Sequence, residues 1–186
     1  MLVIITGGSG SGKSAFAEKM MDAVTGEQKV YIATMFPFGE ETQKKIERHR
    51  QMRKDKHFDT LECFYGLKQV KLQERVPVLL ECMSNLVANE LYMEEGAGKD
   101  TVAQIMQGVA HIEEQTDFFC IISNEVFADG IAYDESTKEY MQMLGTINQQ
   151  LVKRADICIE IVYGIPLVKK LTERGAKTYE TIVGRM

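Results

Sequence analysis

No stretch of this chain approaches the roughly 20 consecutive apolar residues that cross a bilayer, and the N-terminus lacks a basic segment followed by an apolar signal core. A cytoplasmic protein is therefore expected, with no membrane span. An excess of one charge is also missing. The 22 basic residues against 27 acidic ones leave a net charge of -5. That balance gives no reason to expect a broad nucleic-acid or anionic-membrane surface and leaves room only for a local basic patch. The four cysteines, Cys63, Cys82, Cys120 and Cys158, lie far apart, with no CxxC pair and no histidine at zinc-site spacing. Free thiols in a reducing compartment follow. Internal repeats and low-complexity segments are absent too. What remains is 186 residues, 45% of them hydrophobic, enough for one well-buried domain and too few for two comfortable ones.

The most specific pattern present is Gly7, Gly8, Ser9, Gly10, Ser11, Gly12, Lys13, Ser14, a complete G-x-x-x-x-G-K-[ST] phosphate loop directly after the apolar run Leu2–Thr6. Cradling a phosphate needs a chain reversal that aims several backbone N–H groups at one anion, which glycine permits. It also needs a following helix whose positive end faces the same charge. Lys13 would reach the terminal phosphates, and the Ser14 hydroxyl would ligate Mg²⁺. A flexible Gly/Ser linker would not start on a buried-looking strand and run into a helical pattern.

Strand-like runs at Leu2–Thr6, Val30–Thr34, Val76–Glu81, Phe118–Ser123 and Ile157–Val162 alternate with helical patterns. They predict an α/β, P-loop NTPase-like three-layer domain with a mostly parallel central sheet. The first helix should run from the phosphate loop to about Thr25-Gly26. A second, with Val102, Ile105, Met106, Val109 and Ile112 on one face, should be capped by Asp100. A third should start at a Ser136/Glu139 capping box and bury Tyr140, Leu144, Ile147 and Leu151. Residues 96–98 and 127–134 read as loops. Residues 171–186 are polar and weakly patterned, a small appended element or a mobile tail beyond a single catalytic domain of residues 1–170.

Two further groups invite chemistry. Glu81 follows the apolar run Val76–Leu80, in which Pro77 suits the start and not the middle of a strand, and a carboxylate there can hold Mg²⁺; an ordinary solvent-facing strand end is the alternative. Between Lys44 and His57 half the residues are lysine or arginine. In that segment Ile46, His49 and Arg53 share one face of a helix. Flanking arginines lower an imidazole pKa and draw phosphate oxygens toward it, so His49 could attack phosphorus. A merely solvated basic helix is the alternative. His57 and His111 are weaker candidates.

The order of these and other short motifs resembles the bifunctional adenosylcobinamide kinase/adenosylcobinamide-phosphate guanylyltransferase family over about residues 2–170. The strings that carry the likeness are Thr6-Gly7-Gly8 with Ser11-Gly12-Lys13-Ser14, Tyr31-Ile32-Ala33-Thr34, Ile46 with His49-Arg50, Thr60 with Glu62, and Leu80-Glu81-Cys82 with Asn89. Asn124-Glu125-Val126, Gly130-Ile131, Gly145 with Asn148-Gln149, Ala155-Asp156, and Gly164 with Pro166 complete it. The resemblance implies phosphorylation of a corrinoid hydroxyl by a nucleoside triphosphate, GTP or ATP. It further implies guanylylation of His49 by GTP and passage of GMP to the corrinoid phosphate. It assigns Thr34, Arg50, Arg53 and Glu62 to nucleotide binding, with Glu62 on guanine or ribose, and Glu81 with Ser14 to Mg²⁺. A homo-oligomer, a trimer with sites near its interfaces, is also implied. The chain departs from the family pattern at Ser9-Gly10, where Ala-Arg is usual, at Glu81, where Asp is usual, at Phe58, where Trp is usual, and through residues 127–133. A kinase of another small metabolite and a nucleotide-switched binding module are the competing readings.

Overall fold

The computed structural model describes residues 1–24, 28–54, 56–126 and 132–186, and of Lys45, His49, Met52 and Arg53 the backbone alone. Seven strands, β1 (Leu2–Thr6), β2 (Lys29–Ala33), β3 (Phe58–Glu62), β4 (Val78–Glu81), β5 (Phe119–Ile122), β6 (Ile157–Val162) and β7 (Ile165–Leu171), form one sheet in the order β3-β2-β4-β5-β1-β6-β7. All pair in parallel except β7, which returns antiparallel along β6. Among the described residues the α-helices are α1 (Lys13–Val24), α2 (Gly39–Arg53), α3 (Met83–Tyr92), α4 (Thr101–Gln115) and α5 (Glu135–Arg154), which lie between strands, and α6 (Glu173–Val183), which follows β7.

The inner strands are continuous apolar runs because helices cover both faces of a parallel sheet. Along β1 the side chains alternate between two cores. Leu2 and Ile4 join Phe119, Ile121, Leu80, Ile105, Val109, Leu144 and Ile147 on the α3–α4–α5 face. Val3 and Ile5 join Ala17, Met20, Met21, Leu79, Ile122, Ile159 and Ile182 on the α1–α6 face. Val76 and Pro77 stop short of β4, and the Pro77 carbonyl accepts from Val30 N–H at 2.9 Å. A proline, having no donor of its own, suits that lead-in position.

β3 and β7 are the edges and are not among the strand-like runs of the sequence: β3 is polar in part and half exposed, and β7, though mostly apolar, is exposed at all but one residue. β7 tolerates Pro166 for the same reason. Two caps differ from expectation. Asp100 precedes α4 but makes no side-chain cap bond, since a 3₁₀ turn at Gly98–Asp100 leads in and Thr101 Oγ1 donates to the Gly98 carbonyl at 2.7 Å. α5 is capped by Asp134, which accepts from Thr137 N–H at 2.8 Å. Ser136 instead donates to the Tyr92 hydroxyl. Residues 171–186 are no loose tail. Thr172 caps α6, Ile182 enters the core and Arg185 donates to the Ala23 carbonyl of α1. The expected end of α1 at residues 25–26 and most of the 127–134 loop lie outside the described residues.

Candidate active site

The phosphate loop leaves the carboxyl end of β1 and becomes α1, the ligand-binding end of a parallel sheet. Gly7 and Gly12 are in the positive-φ region, at 149° and 95°. A Cβ on Gly7 would lie 2.5 Å from the Ile161 carbonyl oxygen, so only glycine lets the loop pass β6. The Ser11 N–H donates to the Gly8 carbonyl, Glu125 N–H to Gly7, and Gly164 N–H to Ser11. The loop is thus held from the ends of both neighbouring strands. Gly8 and Gly10 face open space, while the Ser11 hydroxyl is buried with no partner among the described residues, a donor suited to an acceptor such as a phosphate oxygen.

Lys13 is 8% exposed and donates from Nζ to the Gly8 carbonyl at 2.9 Å, folded across its own loop. Burial lowers its pKa from the ordinary lysine value, the nearby Cys82 and Glu81 opposing. Ser14 Oγ donates to Glu81 Oε1 at 2.5 Å, and Tyr31 Oη donates to Glu81 Oε2 at 3.0 Å. β2 and β4 are neighbours with Ala33 opposite Glu81, so strand alternation puts Tyr31 and Glu81 on one face. A serine hydroxyl and a carboxylate converging beside a phosphate loop form an all-oxygen donor set that suits Mg²⁺, a hard cation. Sequence reasoning missed Tyr31 in this role; the parity of Tyr31 with the end of its strand was the available signal.

The second predicted group comes together beside the first. Arg50, on α2, donates from Nη2 to Glu62 Oε1, at the end of β3, at 2.9 Å. Both line a cavity of about 60 Å³ with Tyr31, Ala33, Ile46 and Glu81. That is small beside the roughly 150 Å³ that admits a benzene ring. No described residue of α2 is buried, and Phe38 offers its N-terminus no side-chain cap. α2 also carries the backbone of His49 and Arg53, whose side chains lie outside the described part of the structure. A larger cavity of about 460 Å³, lined by Asp59, Lys71, Gln73 and Glu74 among others, includes none of the predicted site residues.

Thr34 differs from the expectation that it contacts nucleotide. It is fully buried, its hydroxyl accepts from Cys82 N–H at 2.7 Å and donates to the Cys82 carbonyl at 2.8 Å, and its own carbonyl takes a bond from Asn89. Its side chain fixes the backbone that follows Glu81. Asn124 and Ser84 extend this polar layer, Asn124 Nδ2 donating to Ser84 Oγ at 2.5 Å. His111 Nε2 lies 2.9 Å from the Val70 carbonyl, a structural contact remote from the loop.

A parallel sheet with a phosphate loop at its carboxyl edge, a buried lysine in that loop and a carboxylate on its serine defines a nucleotide-binding P-loop enzyme. An ATPase of the type III secretion system of pathogenic bacteria shares the fold, with a TM-score of 0.50 at 10% identity over 96% of this chain and 61% of that one. Residues 3–169 match the family described as Cobinamide kinase / cobinamide phosphate guanyltransferase, and the chain belongs to that family. It is similar to the bifunctional adenosylcobalamin biosynthesis protein CobU of Escherichia coli K12, 29% identical over 180 residues, 89% of this chain and 97% of that protein. The protein of the same description from Salmonella typhimurium LT2 is 27% identical over 181 residues, again 89% of this chain and 97% of its own length. The family's two activities, a kinase acting on cobinamide and a guanyltransferase acting on cobinamide phosphate, thus belong to adenosylcobalamin biosynthesis.

Proposed function

We propose that one phosphate loop serves both reactions, with His49 as the nucleophile of guanylyl transfer. The observation that carries this reading is Glu81, which holds Ser14 of the loop and lines the same cavity as Arg50 and Glu62. In the kinase step the corrinoid hydroxyl attacks the γ-phosphorus of GTP or ATP, the bond to the β-phosphate oxygen breaks, and Lys13 offsets charge on the leaving nucleotide. Mg²⁺, held by Ser14 and Glu81, supplies charge neutralisation of the phosphates when bound.

In the second reaction a ring nitrogen of His49 attacks the α-phosphorus of GTP, a P–N bond forms, and pyrophosphate leaves with the electrons of the broken P–O bond. An oxygen of the corrinoid phosphate then attacks the same phosphorus and the P–N bond breaks, regenerating the imidazole. The product is adenosylcobinamide-GDP. Glu62 accepts from the guanine N1–H and amino group. A base enters only when Arg50 leaves Glu62, which frees the guanidinium for the transferring phosphate beside Arg53. Thr34 keeps Glu81 in place from behind. The catalytic unit is residues 1–170, buttressed by α6, and works in the cytoplasm as a homo-oligomer, a trimer by family likeness; four free cysteines suit that reducing compartment.

Incubation with GTP labelled at the α-phosphorus tests this directly. An acid-labile, base-stable protein adduct is expected, absent in His49→Ala and retained in His57→Ala. Label in His49→Ala, or none in the wild type, would overturn the assignment.

A further inference from the structure

We propose that Tyr163, at the tip of the β6–β7 hairpin, is the stacking platform for the nucleotide base when the phosphate loop binds the donor for the kinase reaction. The inference rests on the phosphate-loop reading above. Val162 pairs with Ile165, so Tyr163 and Gly164 are a two-residue hairpin turn. Their φ angles of 50° and 80° put both in the left-handed region that a type I′ turn demands. Asparagine, aspartate and glycine suit its first central position, whereas a bulky tyrosine there is an outlier. Turn geometry therefore gives no reason for the ring.

Packing gives none either, since Tyr163 is 95% exposed. Its location supplies one. The next residue, Gly164, donates its N–H to the Ser11 carbonyl at 2.9 Å, and its Cα lies 3.6 Å from where a Cβ on Gly12 would stand. The hairpin tip is thus fastened to the phosphate loop itself. In the sheet order, β6 and β7 flank β1 on one side, and β2 and β3, with Glu62 and Arg50, lie beyond β5 and β4 on the other. A triphosphate seated in the loop has two directions for its nucleoside. On the Glu62 side, where Arg50 pairs with Glu62, the cavity offers about 60 Å³. The Tyr163 side is open, and Ile165, 61% exposed, adds an apolar margin. An aromatic face beside a phosphate cradle fits a purine, because stacking asks only for a π-face.

The chain contains no tryptophan, so Tyr163→Trp installs a unique fluorophore at the tip. The non-hydrolysable ATP analogue AMP-PNP should change its emission saturably, tripolyphosphate should not, and the change should vanish when Lys13→Ala is added. In a kinase assay Tyr163→Asn, which suits the turn better, should melt no lower than the wild type yet raise the nucleotide KM at least about fivefold with little change in kcat, while Tyr163→Phe keeps the wild-type KM. An unchanged KM in Tyr163→Asn overturns the proposal. So does an indole emission that AMP-PNP leaves unmoved while calorimetry registers binding, or one that shifts with protein concentration alone, which would assign the tip to contact between copies. Failure of the wild type to bind either AMP-PNP or the corresponding guanine analogue GMP-PNP by calorimetry would instead overturn the phosphate-loop reading on which this one stands.

Discussion

Lys13 shows how a single side chain can be made ready by its surroundings. It is 8% exposed and braced on the Gly8 carbonyl before any ligand arrives. Burial disfavours its charged form, so its proton leaves at lower pH than a free lysine's would. Phosphate binding needs the ammonium. Nucleotide affinity should therefore hold at neutral pH and fall with rising pH on the acid side of the ordinary value of 10.5. Calorimetric titration with ADP across the alkaline range checks this, and Lys13→Met should bind weakly with no such fall; affinity flat up to 10.5 would contradict it. Among individual residues, Lys13, Ser14 and Glu81 were legible in the sequence because a contiguous motif or a strand end announces them. Tyr31 and Thr34 were not, because each takes its meaning from a residue 50 or 48 positions away, at or just beyond the end of β4.

Among the elements, α1 and α2 are opposites. α1 buries Ala17, Met20 and Met21 against the sheet, whereas α2 buries no described residue. A helix so lightly held can part from Glu62 at small cost, since the Arg50–Glu62 pair is half exposed and such pairs are worth about 0–1 kcal/mol. α6 has the contrary task of pressing on α1 behind the phosphate loop. Gly175, in its first turn, lies so close to Asp156 that an added Cβ would stand 2.4 Å from that carbonyl oxygen. Helix propensity favours alanine over glycine by about 1 kcal/mol, but overpacking against backbone costs about 1–3 kcal/mol. The clash should win: Gly175→Ala should lose about 1 kcal/mol or more in a denaturant melt, and a gain in stability would show that α6 can shift outward freely. The cap Asp134 and both edge strands were hidden in the sequence, since edges carry mixed polarity and several side chains near a helix start compete for one N–H.

For the molecule as a whole, the parallel sheet is the device that brings the groups together. β5 lies between β4 and β1, so the strand bearing Glu81 and the strand feeding the phosphate loop are held by one shared partner. Phe119 of β5 pairs with both Leu2 and Val78 and is fully buried. Truncating it leaves a void under both strands, and Phe119→Ala should lose about 3–5 kcal/mol, a large share of the roughly 5–15 kcal/mol of a typical domain. A denaturant melt followed by circular dichroism measures it. A loss below about 1 kcal/mol would mean that the core closes over the gap and that Phe119 is no keystone.

The chain's local chemistry determined the phosphate loop, the apolar inner strands, the helices with strong stripes and the family likeness, because each is written in residues close together or in a fixed order. Only the tertiary structure decided that Tyr31 holds Glu81, that Arg50 closes on Glu62, that Thr34 is buried behind the site, and that the β6–β7 turn is fastened to the phosphate loop. Those contacts depend on which strands become neighbours. Strand order is set by burying both faces of the sheet with right-handed connections, a condition on the whole chain that no short stretch of it contains.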